Sequence, residues 1–194
     1  MDKIVITAAS SVTEAHVRGA RLGTRFGRMD LASQLAVAAV EALQINFDAY
    51  PREKIGICLA AAAGSLSTDV EFWRGRDGTG GPSPILFTYT LPNVAIGEIA
   101  IRHRLTGPNL CLVGNENILI EAADMLQRGE AEACLCISCH SISLPLTEII
   151  QRPAAARACA LFLQRGAAGL CDLDENSMDI ESICALSCAR KTAS

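Results

Sequence analysis

From Lys54 to Ala62 the chain is apolar almost without interruption, and turns bound the run at both ends. A strand with one wet face alternates apolar and polar residues, so an unbroken run is expected of a strand covered on both faces, as in a parallel sheet. Ala133 to Cys139 has the same character. Between the two runs lie a short strand at Asn109 to Val113 and a helix from Glu116 to Arg128 that Gly129 stops. This strand-helix-strand unit predicts an α/β protein whose sheet is mixed but mainly parallel, with helices on its faces.

The remaining elements fit around that unit. Lys3 to Ala9 reads as a first strand, and the polar stretch Ser10 to Arg28, which has no clear period, as a loop. Asp30 is placed to cap a helix in which Leu31, Leu35, Ala38, Ala39 and Ala42 recur at helical spacing. Gly64-Ser65 opens a second helix, and Val94 to Arg104 is helical with Pro92 in its first turn and Gly107 beyond its end. The Gly- and Pro-rich stretch from Arg74 to Pro84 predicts a loop and not a domain boundary, so residues 1–194 are expected to form one domain. Arg157 to Gln164 and Asp179 to Ser187 read as two further strands joined by an acidic turn at Asp172 to Asn176.

The charge balance excludes some partners. Seventeen Lys and Arg against 21 Asp and Glu leave no basic footprint for nucleic acid or an anionic membrane surface. No apolar run approaches the roughly 20 residues of a membrane helix, and the start, Met1-Asp2-Lys3-Ile4, does not read as a secretory signal. A cytoplasmic protein is expected, with its nine cysteines reduced. Most of them, Cys58, Cys111, Cys134, Cys136 and Cys159, sit in apolar runs where cysteine packs as a small hydrophobe.

Three motifs compete for a cofactor or metal. Cys136-Ile137-Ser138-Cys139-His140 matches the C-x-x-C-H of haem attachment, but it ends an apolar strand and has no evident second axial ligand. Cys134, Cys136, Cys139 and His140, or Cys184 and Cys188, could suggest zinc, yet strand alternation points Cys134 and Cys136 to one face and leaves Cys139 at the end. The glycines from Gly75 to Gly81 lack the Lys-Ser/Thr of a phosphate loop. No cofactor and no metal is expected.

The helix from Glu116 is apolar nearly all round, with Ile118, Leu119, Ile120, Ala122, Ala123, Met125 and Leu126, and is expected to be buried. A buried helix entered through a sharp turn from a short strand is one way to present a nucleophile, because its free N–H groups and positive dipole end favour an anion. The turn reads Val113-Gly114-Asn115-Glu116-Asn117 and carries no Cys, Ser or Thr; the nearest thiol, Cys111, lies on the strand. Glu116 is either an ordinary first-turn glutamate stabilised by the dipole or the remnant of an acyl site.

Four stretches together resemble the N-terminal half of β-ketoacyl synthases, the condensing enzymes of fatty-acid and polyketide assembly. Arg52 to Trp73, with Ile55-Gly56-Ile57 leading to Gly64-Ser65-Leu66-Ser67-Thr68, is similar to that family's second strand and following helix. Ser83-Pro84 through Pro92-Asn93 resembles its Ser-Pro, Phe and Pro-Asn signature, Gly107-Pro108-Asn109 the motif before the catalytic strand, and Arg128 to Ala133 the Gly-Asp-Ala-Asp-type motif after the active-site helix. The resemblance implies one thiolase-like half, with a buried central helix, of a fold that stacks two such halves.

By the same resemblance the family's Thr-Ala-Cys falls on Gly114-Asn115-Glu116, so Glu116 stands where the nucleophilic cysteine would be. Condensation needs a thiolate to hold the acyl chain, and a carboxylate is a far weaker carrier. The family's His-Gly-Thr-Gly-Thr motif and second His or Asn are expected in a second half that this sequence, ending at Ser194, does not contain; His16, His103 and His140 match neither. Such losses resemble chain-length factors, which pair with a true ketosynthase. The implied protein is a truncated, non-condensing subunit that forms a homodimer, or a heterodimer with a full-length ketosynthase, and that can meet an acyl carrier protein. The alternative is an acyl-thioester enzyme, such as a malonyl decarboxylase, with Glu116 as acid or base.

Overall fold

The computed structural model describes residues 3–76, 78, 81–114, 118–151, 153–166, 169, 171–172 and 180–191. Its frame is a six-stranded sheet of β1 (Ile4–Thr13), β2 (Ile55–Ala61), β3 (Asn109–Val113), β4 (Ala133–Ile142), β5 (Ala155–Arg165) and β6 (Cys171–Asp172), in the order β3-β2-β4-β5-β1-β6. The sheet is mixed, as expected, but parallel pairing is confined to β3-β2-β4; β4-β5, β5-β1 and β1-β6 are antiparallel. The cause is the connection from Ser143 to Ala154. It turns the chain straight back beside β4 with no crossover, which only an antiparallel neighbour permits.

Eight helices accompany the sheet among the described residues: α1 (Glu14–Gly19), α2 (Leu31–Ala42), α3 (Leu66–Gly75), α4 (Pro84–Thr88), α5 (Val94–His103), α6 (Ile118–Gln127), α7 (Leu144–Ile150) and α8 (Ile180–Lys191). On one face α2 and α5 cover Ile55, Ile57 and Leu59 of β2, Leu135 and Ile137 of β4, and Phe162 of β5. On the other, α6 and α8 cover Cys58 and Ala60, Cys134 and Cys136, and Leu161 and Leu163. Alternate residues of each strand thus serve the two cores, which explains why the strands read as unbroken apolar runs.

Strand β1 switches parity along its length. Ile6 pairs with Leu163 but Ala8 with Phe162, so Thr7 is an extra residue on the β1 side. Its hydroxyl donates to the Phe162 carbonyl oxygen at 3.3 Å. Before this bulge the even residues Ile4 and Ile6 join the α6/α8 core; after it the odd residue Ala9 does, while Val12 joins the α2/α5 core.

Three expectations need correction. Ser10 to Arg28 is not a loop: β1 runs on to Thr13, α1 follows, and a 3-10 turn spans Phe26–Arg28. The polar residues there are satisfied within the fold, since the buried Ser10 hydroxyl donates to the Ala39 carbonyl of α2 at 2.6 Å and Thr13 exchanges hydrogen bonds with His16 at the start of α1. Asp179 to Ser187 is not a strand, because Ile180–Lys191 is helical and Ile180, Ile183 and Cys184, at helical spacing, pack on the sheet. Helix α6 is not apolar all round either. Ile120 and Gln127 are exposed and Glu121 and Asp124 half-buried, so its outer stripe is polar apart from Ile120.

Asp30 caps α2 as expected, accepting from the Ser33 amide at 3.0 Å, and its other oxygen accepts the Thr68 hydroxyl at 2.7 Å, which ties α3 to α2. Gly107 is fixed by proximity: a Cβ there would lie 2.2 Å from the Ile55 carbonyl oxygen. The next residue, Pro108, accepts the Ile57 amide at 2.9 Å, so the chain enters β3 pressed against the backbone of β2.

Candidate functional site

The carboxyl ends of the parallel strands β2, β3 and β4 meet where the sequence predicts a site. Ala61 lies level with Val113 on one side and Cys139 on the other, and its carbonyl accepts the Gly114 amide at 3.0 Å. Gly114 has φ +121°, a region closed to side-chain-bearing residues, so the chain leaves β3 abruptly. Helix α6 begins at Ile118. Glu116, the candidate acyl-site residue, lies with Asn115 and Asn117 outside the described residues. Cys111, level with Leu59, is half-buried, and burial pushes its thiol above the ordinary range.

Around this strand end the backbone is tightly drawn. The Ala62 amide donates to the Cys139 carbonyl at 3.0 Å. Gly64 adopts φ +56°, and a Cβ there would touch Val113 at 3.4 Å and Pro92 at 3.7 Å. Ser65 donates to the Thr90 carbonyl at 2.9 Å, fastening the α4–α5 connection beside it. Val113 and Leu91 are 57% and 61% exposed, and Phe87, 61% exposed, precedes them on α4.

A cleft of about 830 Å³ opens beside α3. Its walls include Met29, Val70, Ile85, Leu86 and Leu144, and its polar lining includes Asp30, Ser67, Thr68 and Ser141. Those polar groups are engaged with the fold: Thr68 donates to Asp30, and Ser67 donates to the Ser141 carbonyl at 2.9 Å. Tyr89 separates the cleft from a second, very small cavity under Ala61 and Gly64. Its hydroxyl donates to the buried carboxylate of Glu98 at 3.2 Å, which also holds Arg25 through two contacts at 2.6 and 3.0 Å. No His or Cys lines the cleft among the described residues.

The three histidines are apart, each with its own partner. His16 caps α1. The His103 ring packs tilted against Phe47 with ring centroids 4.7 Å apart, and its Nε2 lies 3.2 Å from Glu41 without hydrogen-bond alignment. His140 contacts Glu181 of α8 at 2.6 Å, and the same carboxylate contacts Arg157 at 2.8 Å. His140 follows Cys139 and so stands at the level of the Gly114 turn, with β2 between, about 10 Å away at the usual strand spacing.

The C-x-x-C-H motif is split by the sheet. Cys134 and Cys136 enter the α6 core, where Cys58 Sγ lies 3.6 Å from Cys134 and 3.7 Å from Met125 Sδ. Cys139 enters the opposite core and donates to the Ala32 carbonyl, and burial pushes its thiol up to about 12. Among the described residues no three His, Cys, Asp or Glu converge as metal ligands, and no helix is long and apolar enough to cross a membrane. Sequence reasoning missed the His140–Glu181–Arg157 network. Alternation along β4 places His140 with Cys136, but Glu181 comes from the segment misread as a strand.

The model of the family described as β-ketoacyl synthase, N-terminal domain, matches residues 20–155. A search of curated proteins finds no match. Among solved structures the fold is similar to the ishigamide ketosynthase/chain length factor, with TM-score 0.70 and 21% identity over 87% of this chain and 63% of that one. It is similar also to AntDE:AntF, described as a type II PKS acyl-carrier protein in complex with its ketosynthase, at TM-score 0.70, 18% identity, and 90% and 67% coverage. A third is the ketosynthase ApeO in complex with its chain length factor ApeC from Xenorhabdus doucetiae, at TM-score 0.63, 17% identity, and 86% and 80% coverage. At these identities the structures speak for the fold, and the chain spans 63% of the length of the ishigamide protein. The matched region runs from the turns before α2 to the start of β5 and takes in the Gly107-Pro108 approach and the abrupt exit at Gly114: the chain belongs to the β-ketoacyl synthase family, matching its N-terminal domain.

Proposed function

We propose that this protein is a non-condensing, ketosynthase-like subunit of fatty-acid or polyketide synthesis that works by pairing, with a second copy or with a full-length ketosynthase. The observation that carries the reading is the β3 edge of the sheet, which has no outer strand among the described residues. This strand ends the sheet order, and its sequence Asn-Leu-Cys-Leu-Val bears no charge. Proteins blunt an exposed edge with lysines, prolines or covering segments. Here the edge instead adjoins apolar side chains, Val113 on the strand and Pro92 across Gly64.

Two further observations support it. The turn after β3 offers no thiol, and the resemblance assigns Glu116 to the cysteine's position. The described histidines are engaged by Thr13, Glu41 with Phe47, and Glu181. An acyl carrier protein is a natural visitor to such a pair, in line with the composition of the AntDE:AntF complex.

Size-exclusion chromatography with light scattering, on the protein alone and co-expressed with a ketosynthase, tests the proposal. A dimer of either kind is expected. A monomer that ignores the ketosynthase overturns it, as does carbon dioxide release from a malonyl thioester that vanishes in Glu116→Ala, which would make the chain an acyl-thioester enzyme.

A further inference from the structure

Strand β3 meets β2 through every second residue. The Ile57 amide donates to the Pro108 carbonyl at 2.9 Å and the Gly114 amide to the Ala61 carbonyl at 3.0 Å, and between these bonds Ile57 lies level with Asn109, Leu59 with Cys111 and Ala61 with Val113. In a parallel ladder that register turns the backbone groups of Leu110 and Leu112 toward β2 and those of Asn109, Cys111 and Val113 away from it. The three outward residues meet no partner strand among the described residues. Alternation puts their side chains on one face, where Cys111 packs against the α2/α5 core and Val113 lies beside Gly64. Leu110 and Leu112, partly buried, pack against the α6/α8 core on the other.

We infer that β3 is completed by β3 of a second copy of this chain, antiparallel, with the two-fold axis passing through Cys111. The inference rests on the pairing role proposed above and fixes its partner and its register.

Backbone and side chains select the same axis. With the axis at Cys111, Asn109 opposes the partner's Val113 and Cys111 opposes the partner's Cys111. These are hydrogen-bonded pairs, so all three outward residues exchange both of their bonds, about six in all. The positions between them set Leu110 against the partner's Leu112 and Leu112 against the partner's Leu110, the closer pairs of an antiparallel ladder, where apolar side chains pack. An axis one residue earlier, at Leu110, moves Leu112 opposite Pro108. An axis one residue later, at Leu112, moves Leu110 opposite Gly114, which has no side chain. Either shift pairs only two of the three outward residues with one another, for about four bonds.

Charge raises no obstacle to a second copy. Asn-Leu-Cys-Leu-Val carries no ionisable acid or base that would oppose its own image across the axis, so the strand is complementary to itself in hydrogen bonding, in packing and in charge.

Disulfide trapping in the full chain tests the register. Asn109 and Val113 are both exposed, which gives an oxidant access. In a Cys111→Ser background, Asn109→Cys and Val113→Cys are mixed, allowed to exchange subunits and treated with copper(II)-phenanthroline, which takes the two electrons the thiols lose while their protons pass to water. Opposed residues lie about 5.5 Å apart, within disulfide reach, whereas residue 109 or 113 is roughly 15 Å from its own image. The mixture should therefore cross-link at least about ten-fold more than either variant by itself, with the link mapped between positions 109 and 113. Should Cys111→Ser fail to fold, the same mixture is made with Cys111 retained. Light scattering on the unaltered protein, with and without a ketosynthase, reports pairing separately. A homodimer that links like positions, or that leaves 109 and 113 unlinked, overturns the inference and leaves the pairing role standing, and so does a pair formed only with the ketosynthase. A chain that stays monomeric in both samples overturns the two together.

Discussion

A methyl group at position 107 would sit 2.2 Å from the Ile55 carbonyl oxygen and 3.1 Å from that of Glu53, both backbone atoms that cannot step aside. Gly107→Ala should therefore cost more than about 1 kcal/mol, read as a lowered urea midpoint. His103 supports a prediction about pH. Burial lowers its pKa from the ordinary 6.5, with Arg102 and Arg52 adding to the effect and Glu41 opposing it. Above 6.5 the ring is neutral folded or unfolded and contributes nothing. As pH falls below 6.5 the unfolded chain takes up a proton that the folded chain resists, so stability declines until the folded value is reached and then levels. His103→Gln should flatten that part of the stability curve, which urea unfolding on either side of pH 6.5 would show. The sequence gives no hint of either residue's surroundings: Gly107 could be placed after a helix, but not pressed on β2, and nothing near His103 in sequence announces Phe47 or Glu41.

At the scale of elements, what was legible depended on periodicity. β2, β3, α2 and α5 were readable within a residue or two because each carries a clear apolar pattern bounded by turn or capping residues. β1 was cut short because its later half carries serines whose pairing with β5, at Ser10 to Ala160 and Ser11 to Cys159, exists only in three dimensions. α8 was misread because Ile180, Ile183 and Cys184 also suit a strand, and the spacing that marks a helix is diluted over the rest of the segment. That helix rests on the sheet through a few side chains, so Ile183→Ala should cost roughly 2–3 kcal/mol and expose residues 180–191 to proteases well before the sheet melts. At the opposite end, Val113→Lys should leave the circular dichroism spectrum unchanged while weakening self-association or ketosynthase binding at least several-fold in light scattering. Unchanged association would remove β3 from the interface.

For the whole molecule, the family was legible because its marks are spread along the chain and two of them reflect backbone constraints: Gly107, pressed on β2, and Gly64, at φ +56°. The site was legible only in part. The turn could be located from sequence, but not the cleft beside α3, whose lining comes from α1, α2, α3, α4 and the segments flanking α7. The polar outer stripe of α6 was equally hidden, since Ile120, Asp124 and Gln127 acquire a common side only once the sheet takes the other.

The unequal borders of the sheet bear on how far assembly can proceed. One border is β3, with five residues able to pair; the other, among the described residues, is β6, Cys171–Asp172. In the language of polymer chemistry the β3 border is a reactive terminus. Joining two β3 borders by a two-fold axis consumes both of these termini, so that contact closes on itself at the pair and is not propagated through β3.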